Sequence, residues 1–257
     1  MAIITGFHAI EEKIRSLPKD SKPDFKLYFS KPGPRVKKIL EEAKKAAVTC
    51  EQADDKTLDS LVSSLDKSLQ DHRGLVMELL GKTAAPSNLV DFDAWLKQFN
   101  ASGKEAATVV ILDKITDPHN VGAIIRSCDQ FGAALVVVPE HNSVTNIASN
   151  EVIGRASAGA SAWVPITVVK NLVRTAEQLK EAGFWIYGAD AGGQSCTQMT
   201  FAKKSALVMG SEGSGIDALL HKTCDSIVSI PTCGKIDSLN VSVAAGVLLY
   251  ELYRKSL

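Results

Sequence analysis

Leu207-Val-Met-Gly-Ser-Glu-Gly-Ser-Gly-Ile216 is a short apolar run that passes into three glycines and then into a helical pattern. Ser205–Met209 has the length of a strand rather than a helix, and apolar strands of this kind are buried on both faces, as in parallel sheets. Working outward, β-prone runs recur at Thr108–Leu112, Ala134–Val138, Phe184–Gly188 and Ser226–Ile230. Helical spacing fills the intervals at Val121–Phe131, Asn171–Ala182 and Ile216–His221, and a longer helix is expected over Asn240–Lys255. Strand and helix in alternation imply an α/β fold whose parallel sheet is covered on both faces.

Upstream, Phe25–Ser30 reads as a strand, Arg35–Ala47 as a helix with Val36, Ile39, Leu40 and Ala43 on one face, and Asp54–Leu65 as a second helix. Leu75–Leu80 is another short apolar run, so a small α/β domain is expected over 1–80. Gly81-Lys-Thr-Ala-Ala-Pro-Ser-Asn88 then shifts the composition toward turn formers. Residues 81–105, with one helix at Leu89–Phe99, are expected to link that domain to a second one at 106–257.

Across 257 residues, 45% hydrophobic and 23% charged, the composition is that of a globular protein and excludes a disordered or fibrous one. No apolar run nears the roughly 20 residues a membrane span needs, and the N-terminal segment has no signal-peptide pattern, so a soluble, cytoplasmic protein is expected. Lys plus Arg (29) balance Asp plus Glu (29), but unevenly: residues 1–50 hold eleven basic against six acidic side chains, and 51–105 hold six against ten. A polyelectrolyte partner would meet that first segment rather than a field of the whole molecule. The five cysteines include no Cys-x-x-Cys pair and have no His at ligand spacing, which argues for free thiols and against a zinc site.

Ligands of open parallel sheets bind beyond the carboxyl ends of the strands, so chemistry is expected in the loops that follow them. The first is Asp117-Pro-His-Asn-Val-Gly-Ala-Ile-Ile-Arg126: Asp-Pro starts a turn, Asn120 reads as the cap of the next helix, and Asn120 and Arg126 could face one crevice. The second is the glycine loop. Its glycines leave backbone N–H groups open to a ligand, and Glu212 within it would repel a phosphate, which favours a cationic or hydroxyl-bearing ligand. Neither Gly-x-Gly-x-x-Gly nor a P-loop pattern occurs. The third is Ile230-Pro-Thr-Cys-Gly-Lys-Ile-Asp-Ser-Leu-Asn-Val-Ser242, where Ser238, Asn240 and Ser242 precede a helix containing Ala244, Ala245 and Gly246. Each segment alone is also explained by capping, a tight turn or close packing.

Together, Asp117-Pro-x-Asn120-x-Gly122-x-x-x-Arg126, Gly210-x-Glu212-Gly-x-Gly215 and Ile230-Pro-x-x-Gly234-x-x-x-Ser238-Leu-Asn240-Val-Ser242 resemble, in order and spacing, the three motifs of the SpoU (TrmH) class of SPOUT methyltransferases. The resemblance covers about residues 107–255. Gly6-Phe-His-Ala-Ile-Glu11 and His72-Arg-Gly74 are similar to the ends of the small L30e-like RNA-binding domain that precedes the catalytic domain in bacterial 23S rRNA guanosine 2′-O-methyltransferases. Thr232, where methionine is common, and Arg73, where glutamine is common, depart from those patterns.

The resemblance implies a C-terminal parallel-sheet domain with a deep trefoil knot, which ordinary chain topology would not suggest, and a homodimer formed through that domain. It implies S-adenosylmethionine as cofactor and no metal. Backbone groups at Gly210, Ile230 and Leu239 would hold the cofactor, with its adenine in an apolar slot between the second and third loops. Asn120, Arg126, Glu212, Ser238 and Asn240 match positions around the transfer site. The implied reaction is 2′-O-methylation of a ribose in RNA, first a guanosine of 23S rRNA and alternatively a tRNA ribose.

A sulfonium methyl is already electrophilic, so the protein has mainly to align the hydroxyl and help its proton leave. Arg126 is expected to hold a phosphate or the forming alkoxide rather than to act as a base, because guanidinium stays protonated. Two other classes fit less well. A Rossmann-type enzyme would need the missing glycine fingerprint, and an RNA-binding protein with a decayed catalytic half would have lost Asn120, Arg126 or Asn240.

Overall fold

The computed structural model describes residues 2–15, 17, 23, 25–63, 65, 70–80, 88–144, 147, 150–235 and 238–256. Two units form, Met1–Ser87 with Asn146–Trp163, and Asn88–Thr145 with Val164–Leu257. In the first, β1 (Ala2–Thr5), α1 (Phe7–Arg15), β2 (Phe25–Phe29), α2 (Pro34–Lys45), β3 (Thr49–Gln52), α3 (Asp55–Val62) and β4 (Leu75–Leu79) build a mixed sheet of order β1-β4-β2-β3. β4 is antiparallel to both neighbours, and β2 is parallel to β3.

Alternation along the strands sends Phe25, Leu27, Leu75 and Met77 into one core with Ile10, Ile39 and Ala43 of α1 and α2, and Val76 into another with Leu58 and Val62 of α3. The elements expected at 25–30, 35–47, 54–65 and 75–80 are present. β1, α1 and β3 are additional. β3 is a short, mostly exposed edge strand, Thr-Cys-Glu-Gln, with no apolar pattern to announce it.

The second unit opens with α4 (Phe92–Ala101), β5 (Ala107–Leu112), α5 (Pro118–Gln130) and β6 (Leu135–Pro139). α6 (Glu151–Ala156) and the 3-10 turn Ala160–Ala162 belong to the first unit. There Gly159, at φ +95°, lies so close to Glu12 that an added Cβ would meet the Glu12 Cβ at 2.8 Å, which requires glycine. The second unit resumes with β7 (Ile166–Val169), α7 (Leu172–Glu181), β8 (Trp185–Ser195), β9 (Lys204–Met209), α8 (Ala218–Thr223), β10 (Ser226–Ser229) and α9 (Val241–Ser256). The units differ from the expected 1–80, 81–105 and 106–257 in two places: α4 is built into the second core through Phe92 and Phe99, and residues 146–163 join the first unit. Residues 81–87 of the expected linker lie outside the described residues.

All six strands of the second sheet, ordered β10-β8-β9-β5-β6-β7, run parallel. Val109, Ile111, Leu135, Val137, Ala206 and Val208 share a core with Phe99, Leu179 and Leu220 from α4, α7 and α8. Val110, Leu112, Val136, Val138 and Leu207 are equally buried and alternate to the opposite face. The apolar runs are therefore strands buried on both sides, as their composition implied. β8 pairs with β10 through Gly188 and Ile227 and then through Gln194 and Val228, so residues 189–193 leave the ladder as a bulge. Gly193 closes it, where a Cβ would lie 2.6 Å from the Ile227 backbone.

The end of α9 is anchored by charge. Lys255 Nζ donates to the carbonyls of Cys196 at 2.9 Å and Thr197 at 3.2 Å, and Glu251, 8% exposed, accepts from Arg254 at 2.8 Å and Lys255 at 3.2 Å. These hydrogen bonds, Arg254's first, lower the Glu251 carboxyl to about 2. A folded value below the unfolded one stabilises the protein above the unfolded pKa, and that stability is lost as pH falls toward the folded value. Glu251→Gln is therefore expected to cost about 1–2 kcal/mol at neutral pH, discounted because the Arg254 side chain is 50% exposed. Between about pH 4.5 and 2 the variant should also lose stability less steeply than wild type, as chemical denaturation at a series of pH values would show.

Candidate active site

Asp117, rather than Asn120, caps α5. Its carboxylate accepts the His119 N–H at 2.9 Å, and Pro118 takes the first helical position. The helix thus begins at Pro118 instead of Val121, and Asn120 sits in its first turn with its amide released for other partners. Asn120 Nδ2 donates to Glu212 Oε1 at 3.3 Å. Asn240 Nδ2 donates to both, reaching Asn120 Oδ1 at 3.0 Å and Glu212 Oε1 at 2.7 Å. Asn240 is also a cap, because its Oδ1 accepts the N–H groups of Ser242 at 2.9 Å and Val243 at 3.3 Å. The Val241 N–H completes the set on Glu212 Oε1 at 3.3 Å. One amide thus starts α9 and also joins two loops that are far apart in sequence.

The glycine loop after β9 is a hairpin closed by Ser211 N–H to Gly215 O at 3.1 Å and Gly215 N–H to Ser211 O at 3.0 Å. Gly213 and Gly215 have φ of +92° and +65°, the left-handed region that glycine enters without strain. The exit of the loop is fixed from β5. Buried Asp113 accepts the Asp217 N–H at 2.6 Å, and Lys114 Nζ donates to Asp217 at 2.8 Å. That lysine holds the Asp217 carboxyl below its ordinary value, and its own pKa rises in return. Asp113 and Lys114 were not among the expected site residues. Their signal is a carboxylate directly ending the apolar run Val109-Val-Ile-Leu112.

A cavity of about 640 Å³ opens beside this loop. Its walls are Ala189–Ala191 of the β8 bulge, Met209–Gly215, Val228–Thr232, Ser238 and Leu239, and Val241, Ala244 and Leu248 of α9. Gly210, Ile230 and Leu239 all line it, as do Glu212 and Ser238. Among the described residues the lining includes two carboxylates, Asp190 and Glu212, and no Lys, Arg or His. Asn120 and Asn240 reach the cavity through Glu212. Arg126 is exposed and joins neither the lining nor the Asn120–Glu212–Asn240 cluster, and it forms no hydrogen bond or ion pair among the described residues. No group of three His, Cys, Asp or Glu suited to a metal occurs among the described residues, nor is any described helix long and apolar enough to cross a membrane.

Residues 107–250 match the model of the SpoU rRNA Methylase family, and residues 3–79 match a model for RNA 2′-O ribose methyltransferase substrate binding. A Borreliella burgdorferi protein named as an uncharacterized tRNA/rRNA methyltransferase is 36% identical over 230 residues, 88% of this chain and 96% of its own. Among solved structures, the SpoU methyltransferase AviRb from Streptomyces viridochromogenes, in complex with AdoMet, shares the fold with a TM-score of 0.72 and 22% identity, covering 99% of this chain and 90% of that one. The TrmH/SpoU tRNA modifying enzyme of A. aeolicus, with a TM-score of 0.52 and 27% identity, covers 64% of this chain and 83% of its own. With the second and third loops lining one cavity, the first joined to them through Asn120, and the family model spanning residues 107–250, the chain belongs to the SpoU rRNA methylase family.

Proposed function

We propose that the chain methylates a ribose 2′-hydroxyl in RNA with S-adenosylmethionine as methyl donor. The observation that carries this is a cavity whose described lining holds two carboxylates and no basic side chain, bordered by the Asn120–Glu212–Asn240 cluster. The cofactor suits it in size, at about 640 Å³. Ile230, Leu239 and Leu248 give adenine an apolar wall, and Gly210 lets the two arms of the glycine hairpin close against each other beside it, where a Cβ would meet the Gly215 and Ile216 backbone. An acidic lining also favours a ligand of net positive charge over a polyphosphate nucleotide.

The bound cofactor supplies an electrophilic methyl group on sulfur. Gly210, Ile230 and Leu239 hold it through backbone groups at the wall. Glu212 Oε1 is taken up by three donors, which leaves Oε2 to face the ribose, with Ser238 beside it on the lining. Arg126, whose guanidinium has no partner among the described residues, takes the adjacent phosphate or the forming alkoxide. With the ribose hydroxyl aligned by these residues, its oxygen would take the methyl group, the neutral thioether would leave with the carbon–sulfur electron pair, and the hydroxyl proton would pass to water.

RNA is met by the first unit, read as the L30e-like substrate-binding domain. α2 exposes Lys37, Lys38, Lys44 and Lys45, which form no ion pair among the described residues. The presence of this unit favours a guanosine of 23S rRNA. The A. aeolicus tRNA modifying enzyme, matched over 64% of this chain, keeps a tRNA ribose as the second reading. The same reading includes a trefoil knot, a cytoplasmic location and a homodimer. The dimer is supported by α9, which leaves Val243, Val247 and Tyr250 exposed at helical spacing as one apolar stripe.

Calorimetry with S-adenosylmethionine, followed by transfer of labelled methyl to 23S rRNA and to tRNA in parallel, tests the proposal. Binding and label on rRNA ribose are expected. Label on tRNA alone would select the second reading, and neither binding nor label on any RNA would overturn both.

A further inference from the structure

The bulge at residues 189–193 contributes nothing to the ladder between β8 and β10, yet it carries one charged side chain, Asp190, to the cavity wall. Asp190 Oδ1 accepts the Gly192 N–H at 3.0 Å, which pins the carboxylate. Oδ2 points toward Gly215, 3.9 Å from where a Cβ would stand, and has no hydrogen-bond partner among the described residues. The other described carboxylate of the lining, Glu212, has its Oε1 committed to Asn120, Asn240 and the start of α9, and its Oε2 is left for the RNA ribose in the proposed transfer.

We propose that Asp190 reads the ribose of the cofactor, its carboxylate accepting hydrogen bonds from the 2′ and 3′ hydroxyls. This rests on the reading that the cavity takes S-adenosylmethionine. No cation among the described residues lines the cavity to neutralise Asp190, so a ligand that brings donors suits it, and a vicinal diol brings two. The location fits as well. β8 lies beside β9, whose carboxyl end is the glycine loop, and parallel-sheet nucleoside sites place an acid on the ribose hydroxyls at a strand end near such a loop. Asp190 abuts Gly215 on the loop that also bears Gly210 and Glu212, and ribose is the part of the cofactor joining adenine to the sulfur-bearing carbon.

The test is calorimetry on the full chain and on Asp190→Asn and Asp190→Ser, with S-adenosylmethionine, S-adenosylhomocysteine and 5′-methylthioadenosine. All three ligands carry the diol, but they differ in charge. The variants are expected to weaken all three alike, by about 10- to 100-fold, with an unchanged thermal midpoint. The 2′,3′-dideoxy form of 5′-methylthioadenosine should bind wild type more weakly by a similar factor, and the variants should add no further loss. Undiminished binding by the variants would overturn the assignment, as would a loss confined to S-adenosylmethionine, which would place the carboxylate on the sulfonium. So would wild-type indifference to the missing hydroxyls, a result that does not depend on how the variants fold. If wild type binds none of the ligands, the cofactor reading itself falls and takes this inference with it.

Discussion

Gly210→Ala is expected to raise the dissociation constant for S-adenosylmethionine by about 100-fold or more, through a steric clash within the loop and not through loss of a contact to the ligand. A Cβ at 210 would lie 2.3 Å from the Gly215 carbonyl carbon and 2.4 Å from the Ile216 nitrogen. Neither is the end of a flexible side chain that can swing away, so the hairpin must open. Opening it breaks the two Ser211–Gly215 hydrogen bonds, at about 0.5–1.5 kcal/mol each, in addition to about 1–3 kcal/mol for overpacking. The loop that frames the cavity then loses its shape even where the rest of the unit stays folded. Gly213→Ala is the control. It faces open space and has only its φ of +92° to pay for, so a smaller loss of about 1–2 kcal/mol is expected. Calorimetry and thermal denaturation of both variants decide the matter, and wild-type affinity in Gly210→Ala would show that the close approach is not needed.

Arg126→Ala is expected to leave cofactor affinity near normal and to slow single-turnover transfer by about 30- to 1000-fold, the scale of one lost transition-state contact. The guanidinium is exposed, lies outside the cavity lining and has no partner among the described residues, so its removal leaves no cofactor contact or buried charge unsatisfied. What it does lose is a planar fork able to hold a phosphate or an alkoxide at two points. Arg126→Lys keeps the charge and loses the fork, and should fall between alanine and wild type. An unchanged rate in both variants would make Arg126 a solvated helix residue. Lost affinity at a normal rate would move it to the cofactor site.

Much of the fold is legible in the sequence. The apolar runs near 108, 134 and 205 read as strands buried on both faces and are so, those near 184 and 226 are strands that stay partly exposed, and the three loops that follow strands hold the Asn120–Glu212–Asn240 cluster. Capping was read less accurately. Asn120 and Asp117 are both good caps by residue type, and which one serves depends on where the backbone leaves the helix. Pro118 settles that by fixing the first helical φ, which hands the cap to Asp117 and frees Asn120 for Glu212. Four-residue strands are not legible, β1 and β7 because so short a run shows no period, and β3 because an exposed edge imposes no apolar pattern.

The sequence by itself determined the α/β class, the parallel sheet and the membership of the three loops, because burial on both faces and glycine at close approaches leave marks on composition. Only the tertiary structure decided how the pieces combine. The strand expected to end at Gly188 continues to Ser195 after a bulge, since its register is set by pairing with β10, and that bulge delivers Asp190 to the cavity. Residues 146–163 lie in the second half of the chain yet pack in the first unit, where Gly159 meets Glu12. Local propensity extends over a few residues, whereas register and packing are settled between segments far apart in the chain, where a short pattern carries no information about its partner.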